Sequence, residues 1–115
     1  MELIEGYAEN LPLSDNSVDV VYSSLVFHHL PNDIKKKAID EMYRVLKPGG
    51  QVVIADLGES RNKFLARLFC LFTKFQYLKG NLAGLIPQYL NEAGFKNTHA
   101  HGPRSVLIDI LVGEK

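Results

Sequence analysis

LPLSDNSVDVVYSSLVFHHL, running from Leu11 to Leu30, changes character twice. It opens on a turn, Pro12-Leu13-Ser14-Asp15-Asn16-Ser17, whose residues pre-set φ or bond their own backbone. Val18 to Tyr22 then form a short apolar run, broken only by Asp19. Such a run predicts a strand covered on both faces, as in a parallel sheet, ending near Ser23-Ser24. Ser24 to His29 would follow its carboxyl end, where open α/β sheets form their ligand crevice.

Reading outward toward the C-terminus, Asn32 is placed to cap a helix after Pro31. Ile34, Ala38, Ile39, Met42, Val45 and Leu46 recur on one helical face. Lys35, Lys36, Lys37, Asp40 and Glu41 fall mostly on the other, with Lys37 and Glu41 as an i,i+4 pair. Acids interspersed with the lysine run read as a solvated face rather than a nucleic-acid contact. Pro48-Gly49-Gly50 should stop the helix. Gln51 to Leu57 is the next strand, with Val52, Val53, Ile54 and Ala55 buried before Asp56 breaks the run. Strand, helix and strand at this spacing form a βαβ unit with parallel strands. Asp56 and Gly58 then share a rim with Ser24 to His29.

Arg61 to Lys79 sets Phe64, Leu65, Leu68, Leu71, Phe72, Phe75 and Leu78 at helical spacing, and Lys63, Arg67 and Lys74 on another face. Three roles fit: a helix packed on the sheet, a lid over an apolar ligand, or a weak membrane-surface contact. Leu82 to Ala93 forms another helix, with Gly94 as its C′ residue. Phe95 to His101 and Ser105 to Val112 read as two closing strands, antiparallel because their connection is short. Toward the N-terminus, Glu2 to Gly6 reads as a short strand. The whole is one α/β domain over residues 1–115.

Composition narrows the classes. Lys plus Arg equals Asp plus Glu, 13 each, which gives no global charge to attract nucleic acid or membrane. The single cysteine, Cys70, forms no internal disulfide and fits a reducing, cytoplasmic setting. Neither a signal peptide nor a transmembrane run of ~18 apolar residues is visible.

Two blocks resemble a known family. Gly6-x-Ala8-Glu9-x-Leu11-Pro12-Leu13-x-Asp15-Asn16-Ser17-Val18-Asp19-Val20-Val21, followed by His28-His29-Leu30-Pro31, resembles the middle of a class I S-adenosylmethionine-dependent methyltransferase, nearest the subgroup acting on small molecules and lipids such as quinone precursors. Met42-Tyr43-Arg44-Val45-Leu46-Lys47-Pro48-Gly49-Gly50 resembles that family's helix-to-strand turn. Asn91-Glu92-Ala93-Gly94-Phe95 resembles it more loosely. The resemblance implies a Rossmann-like sheet of parallel strands closed by a C-terminal antiparallel pair, with helices on its faces. It implies methyl transfer from S-adenosylmethionine to a small or lipid-like acceptor.

It also implies site residues. Tyr7 and Ala8 stand where the family has an Asp-Ala pair against the adenine. Tyr7 can stack there but cannot accept from the adenine amine, and it can equally be a packing residue. Ser24 and Leu25 match positions beside the cofactor. The family's glycine-rich loop and ribose-binding acid have no counterpart here, so the likeness covers the C-terminal half to two-thirds of its domain. The first strand of the family pairs with the equivalent of Val18–Tyr22. Its lack would leave an apolar edge, to be covered by self-association or a partner. A non-catalytic binding module, or one part of a split enzyme, is the alternative to an active methyltransferase.

His28 and His29 are candidate catalytic bases, with pKa values near neutrality, or simply bond across the strand–helix junction. Adjacent histidines rarely share one ion, and no third ligand stands at a helpful spacing, so no metal is expected.

Overall fold

The computed structural model describes residues 1–58, 64, 67, 68, 71, 81, 84–102 and 108–115. In chain order these form β1 (Val18–Ser24), a 3-10 turn (Phe27–His29), α1 (Asn32–Val45), β2 (Leu46–Leu57), α2 (Leu85–Ala93), β3 (Lys96–Ala100) and β4 (Ile108–Glu114). Their four-stranded sheet has the order β1-β2-β4-β3. β1 and β2 are parallel, with Val20 opposite Gln51 and Ser24 opposite Ala55. β4 runs antiparallel to both β2 and β3. The expected α/β architecture, with a parallel unit closed by an antiparallel pair, is the one observed.

α1 and α2 cover one face of this sheet. Ala38, Ile39 and Met42 from α1, Ile86 and Leu90 from α2, and Val52 and Ile54 from β2 make one buried cluster with Phe27, Leu46 and Phe95. Apolar side chains at i, i+3 and i+4 on both helices allow this, and each fully buried one contributes about 1.5–3 kcal/mol. The Tyr43 and Phe95 rings meet edge to face at 5.0 Å. α2 ends where expected: Gly94, at φ 104°, donates to the Asn91 carbonyl.

Five local expectations are corrected. β1 is covered on one face only: Val20 and Tyr22 are 58% and 65% exposed. Residues 1–6 form no strand, since no described strand lies beside them. Pro31, not Asn32, occupies the N-cap, and its carbonyl receives the Lys35 amide at 2.8 Å. Lys35 is fully buried rather than solvated, and Lys36 with Asp40, not Lys37 with Glu41, makes the i,i+4 pair. α1 stops at Val45, before Pro48-Gly49-Gly50, which lies within β2 as an irregularity: Val18 faces Leu46 but Val20 faces Gln51. The Gly49 amide and Gly50 carbonyl there bond the Lys115 backbone, each at 2.9 Å. A Cβ on Gly50 would come within 2.9 Å of the Asp19 carbonyl, so the approach of the two strands requires glycine.

The turn before β1 is clamped by α1. Glu41 accepts the Leu11 amide at 2.8 Å, and Arg44 donates to Glu41, Asp15 and the Leu11 and Leu13 carbonyls. Hydrogen bonds from Arg44 hold the Glu41 carboxyl below its ordinary pKa.

Candidate functional site

β1 and β2 run parallel, so their carboxyl ends open on the same rim. There the chain turns sharply. Leu25, at φ 54°, donates its amide to the Ala55 carbonyl at 2.8 Å. The 3-10 turn then brings Phe27 and His28 back over the end of β2. Asp56 receives both: its Oδ2 accepts the Phe27 amide at 2.7 Å, and its Oδ1 lies 2.8 Å from His28 Nδ1. The Leu57 amide at 2.8 Å and Asn81 Nδ2 at 3.2 Å also donate to Oδ1. Asp56 and His28 are both buried, at 2% and 6% exposure.

An ionised carboxylate only accepts, so His28 Nδ1 carries the proton in this bond and Nε2 is the basic nitrogen. Lys35 joins the electrostatics from α1. Burial pulls its pKa down to about 8, and the Asp56 charge resists that fall.

The structure therefore unites His28 with Asp56 but leaves His29 exposed, its ring 4.0 Å from that of His28. Ser24 and Leu25 lie on the rim; Ser24 pairs with Ala55 and so shares the face opposite Asp56. Tyr7 is 74% exposed in a tight bridge with Asn10, while Ala8 packs against the core. Three residues escaped sequence reasoning. Lys35 was masked by its polar neighbours. Asp109 lies directly opposite Asp56 across the β2–β4 pair, and Asn81 sits in a stretch read for apolar spacing. Most of Arg61–Lys79 lies outside the described residues, so the packed, lid and membrane-surface roles stay open. Among its described members Phe64 and Leu71 are helical and 70% and 80% exposed. Among the described residues no helix is long and apolar enough to cross a membrane.

Comparison with known proteins agrees with this geometry. Residues 1–54 match the family described as "Methyltransferase domain". A demethylmenaquinone methyltransferase of Staphylococcus epidermidis is 36% identical over 75 residues, 65% of this chain and 30% of that protein. An uncharacterized methyltransferase of Synechocystis is 31% identical over 105 residues, 85% of this chain and 48% of that one. In fold, an S-adenosylmethionine-dependent methyltransferase from Thermotoga maritima superposes with a TM-score of 0.70 at 24% identity, covering 97% of this chain and 63% of that structure.

The fold and the rim define a Rossmann-like methyltransferase sheet. The chain belongs to the class I S-adenosylmethionine-dependent methyltransferase family, and it spans between a third and a half of the length of the two relatives it matches here.

Proposed function

We propose that this chain serves S-adenosylmethionine-dependent methyl transfer to a small or lipid-like acceptor, with His28 as the base and Asp56 as its positioning residue. The observation behind this reading is the buried 2.8 Å bond between His28 Nδ1 and Asp56, set at the carboxyl ends of two parallel strands. Such a bond fixes the tautomer and the ring plane, which favours proton uptake at Nε2 from an acceptor hydroxyl or enol. His29 is the second candidate, without a carboxylate partner among the printed contacts of His28. In the family the bound cofactor supplies an electrophilic methyl group. Of this chain's residues, the exposed Tyr7 ring and Ala8 would flank its adenine, and Ser24 with the left-handed Leu25 would line the reacting end. The described residues offer no acid or glycine loop for its ribose and methionine ends, so they form one wall of such a site.

Calorimetric titration of S-adenosylmethionine and its demethylated product tests the reading. Micromolar binding supports it; no heat and no thermal shift at millimolar ligand overturns it for this chain alone.

A second reading rests on a different observation: the exposed apolar residues Val20, Tyr22, Ile108 and Ile110 share the uncovered sheet face. This favours self-association, or a partner segment, over the face and the free edge of β1. Light scattering after size exclusion checks it; a soluble monomer at all concentrations sinks it.

A further inference from the structure

A small cavity of about 30 Å³ lies beside the His28–Asp56 pair, between the end of β2, the start of α2 and β4. Asp56, Asn81 and Asp109 give it polar walls; Ile86, Pro87 and Leu111 give it apolar ones. Asn81 is 1% exposed, and its Oδ1 has no hydrogen-bond partner. Asp109 is 8% exposed, and no donor among the described residues reaches its carboxylate. That carboxylate lies over Gly58, where any Cβ would collide with it, so glycine at 58 makes room for a buried acid. Buried acceptors are normally satisfied, and these two are not.

We propose that this cavity binds the primary ammonium group of a small organic amine. The accounting of donors and acceptors leads there. Asp56 already accepts four N–H groups and is balanced by His28 and Lys35. What is left over is one carboxylate and one amide oxygen, with no cation bonded to them. Two acceptor groups suit the three N–H donors of –NH₃⁺. They are too few for a hard divalent cation, which takes six or more oxygen ligands, and among the described residues no three His, Cys, Asp or Glu side chains converge as a metal set. The volume admits one or two heavy atoms, which excludes guanidinium and quaternary ammonium. The apolar walls suit the adjoining methylene. A nitrogen held this way keeps its proton and has no lone pair, so it anchors a ligand and is not the atom that would be methylated. The inference stands independently of methyl transfer.

The test is a titration of the ¹⁵N-labelled chain with methylammonium chloride, followed by NMR at the Asn81 side-chain amide and the Gly58 backbone amide. Ammonium, tetramethylammonium and sodium chlorides at matched ionic strength are the controls. Saturable shifts with methylammonium, at least threefold tighter than with ammonium and missing with the other two salts, are expected. Asp109→Asn and Asn81→Ala should each weaken binding at least tenfold, whereas the surface variant Asp40→Asn should not. Equal, non-saturating shifts in all salts would mean that the cavity holds water alone and would overturn the proposal. So would an Asp109→Asn chain, folded by its own spectrum, that titrates like the unmodified one. Ammonium binding as tightly as methylammonium would overturn the organic amine. The wild-type titration decides the matter even if neither cavity variant folds.

Discussion

Glu41 and Asp56 hold the two ends of the same stretch by similar means. Glu41, with Arg44, grips the turn from Leu11 to Asp15; Asp56 grips Phe27 and His28. Each carboxylate accepts a distant backbone amide and a cationic or ionisable side chain. The surroundings differ. The Glu41–Arg44 clamp sits near the surface, its side chains 18% and 31% exposed, and every group in it that faces inward is matched. The Asp56 network is buried and ends in unmatched acceptors, Asn81 Oδ1 and the Asp109 carboxylate. A surface network that closes on itself has a structural job. A buried one left open has binding capacity, since an unsatisfied buried acceptor costs about 1–3 kcal/mol that a ligand can return.

The contrast can be broken most forcefully at Asp56. Asp56→Ala should destabilise the fold by about 3–5 kcal/mol, because the Phe27 and Leu57 amides and Asn81 lose a buried acceptor together; urea unfolding measures this. Asp56→Asn, which keeps an acceptor oxygen, should cost less. If both are tolerated within about 0.5 kcal/mol, Asp56 is no anchor.

Lys35 gives the next effect, read through pH. Its folded pKa of about 8 lies below the ordinary 10.5, so between those values the unfolded chain binds more protons. Stability should therefore rise with pH across that window, by on the order of 1 kcal/mol or more. Lys35→Met should be more stable than the native chain at pH 7 and should lack the rise. Parallel curves for the two proteins would show that Lys35 stays hydrated.

The smallest effect belongs to the clamp. Glu41→Gln should cost about 1 kcal/mol, the net value of its hydrogen bonds at a partly hydrated site. The Glu41 carboxyl has its pKa lowered by Arg44, so its contribution is complete above the ordinary value of 4.5 and is lost as pH falls through the folded one. Acid titration by circular dichroism should show the native chain losing more stability below pH 4.5 than Glu41→Gln. Arg44→Lys should loosen the turn as well, since an ammonium cannot reproduce the guanidinium fork.

Much of the frame was legible in the residues. The turn at Pro12–Ser17, the run Val18–Tyr22, the helical spacing from Ala38 to Val45 and the Gly94 stop each state a local preference that the fold obeys. The rim was legible too, because parallel strands must end together. Side-chain partnership was not. His28 and Asp56 lie 28 positions apart and Asn81 a further 25 on, so only tertiary pairing brings them together. Lys35 sits among other lysines, and periodicity assigns all of them to water; the acidic end of β2 draws this one in. Glu2–Gly6 shows the opposite failure, a strand-like composition that forms no strand because nothing described lies beside it to complete a ladder.

The placement of β2 has a consequence for how the chain is made. One of its neighbours, β1, precedes it in the sequence; the other, β4, ends the chain, and Lys115 bonds back to Asn16 across 99 positions. During synthesis β1, α1 and β2 emerge first and can assemble by themselves. One side of β2, with Val53 and Ala55 along it, then waits for Ile108–Glu114. Until those residues leave the ribosome, the nascent chain presents an apolar ladder that accepts any strand within reach. Completion of the sheet is thus the last event of translation, and a pause before residue 108 would lengthen the interval in which neighbouring nascent chains can exchange strands.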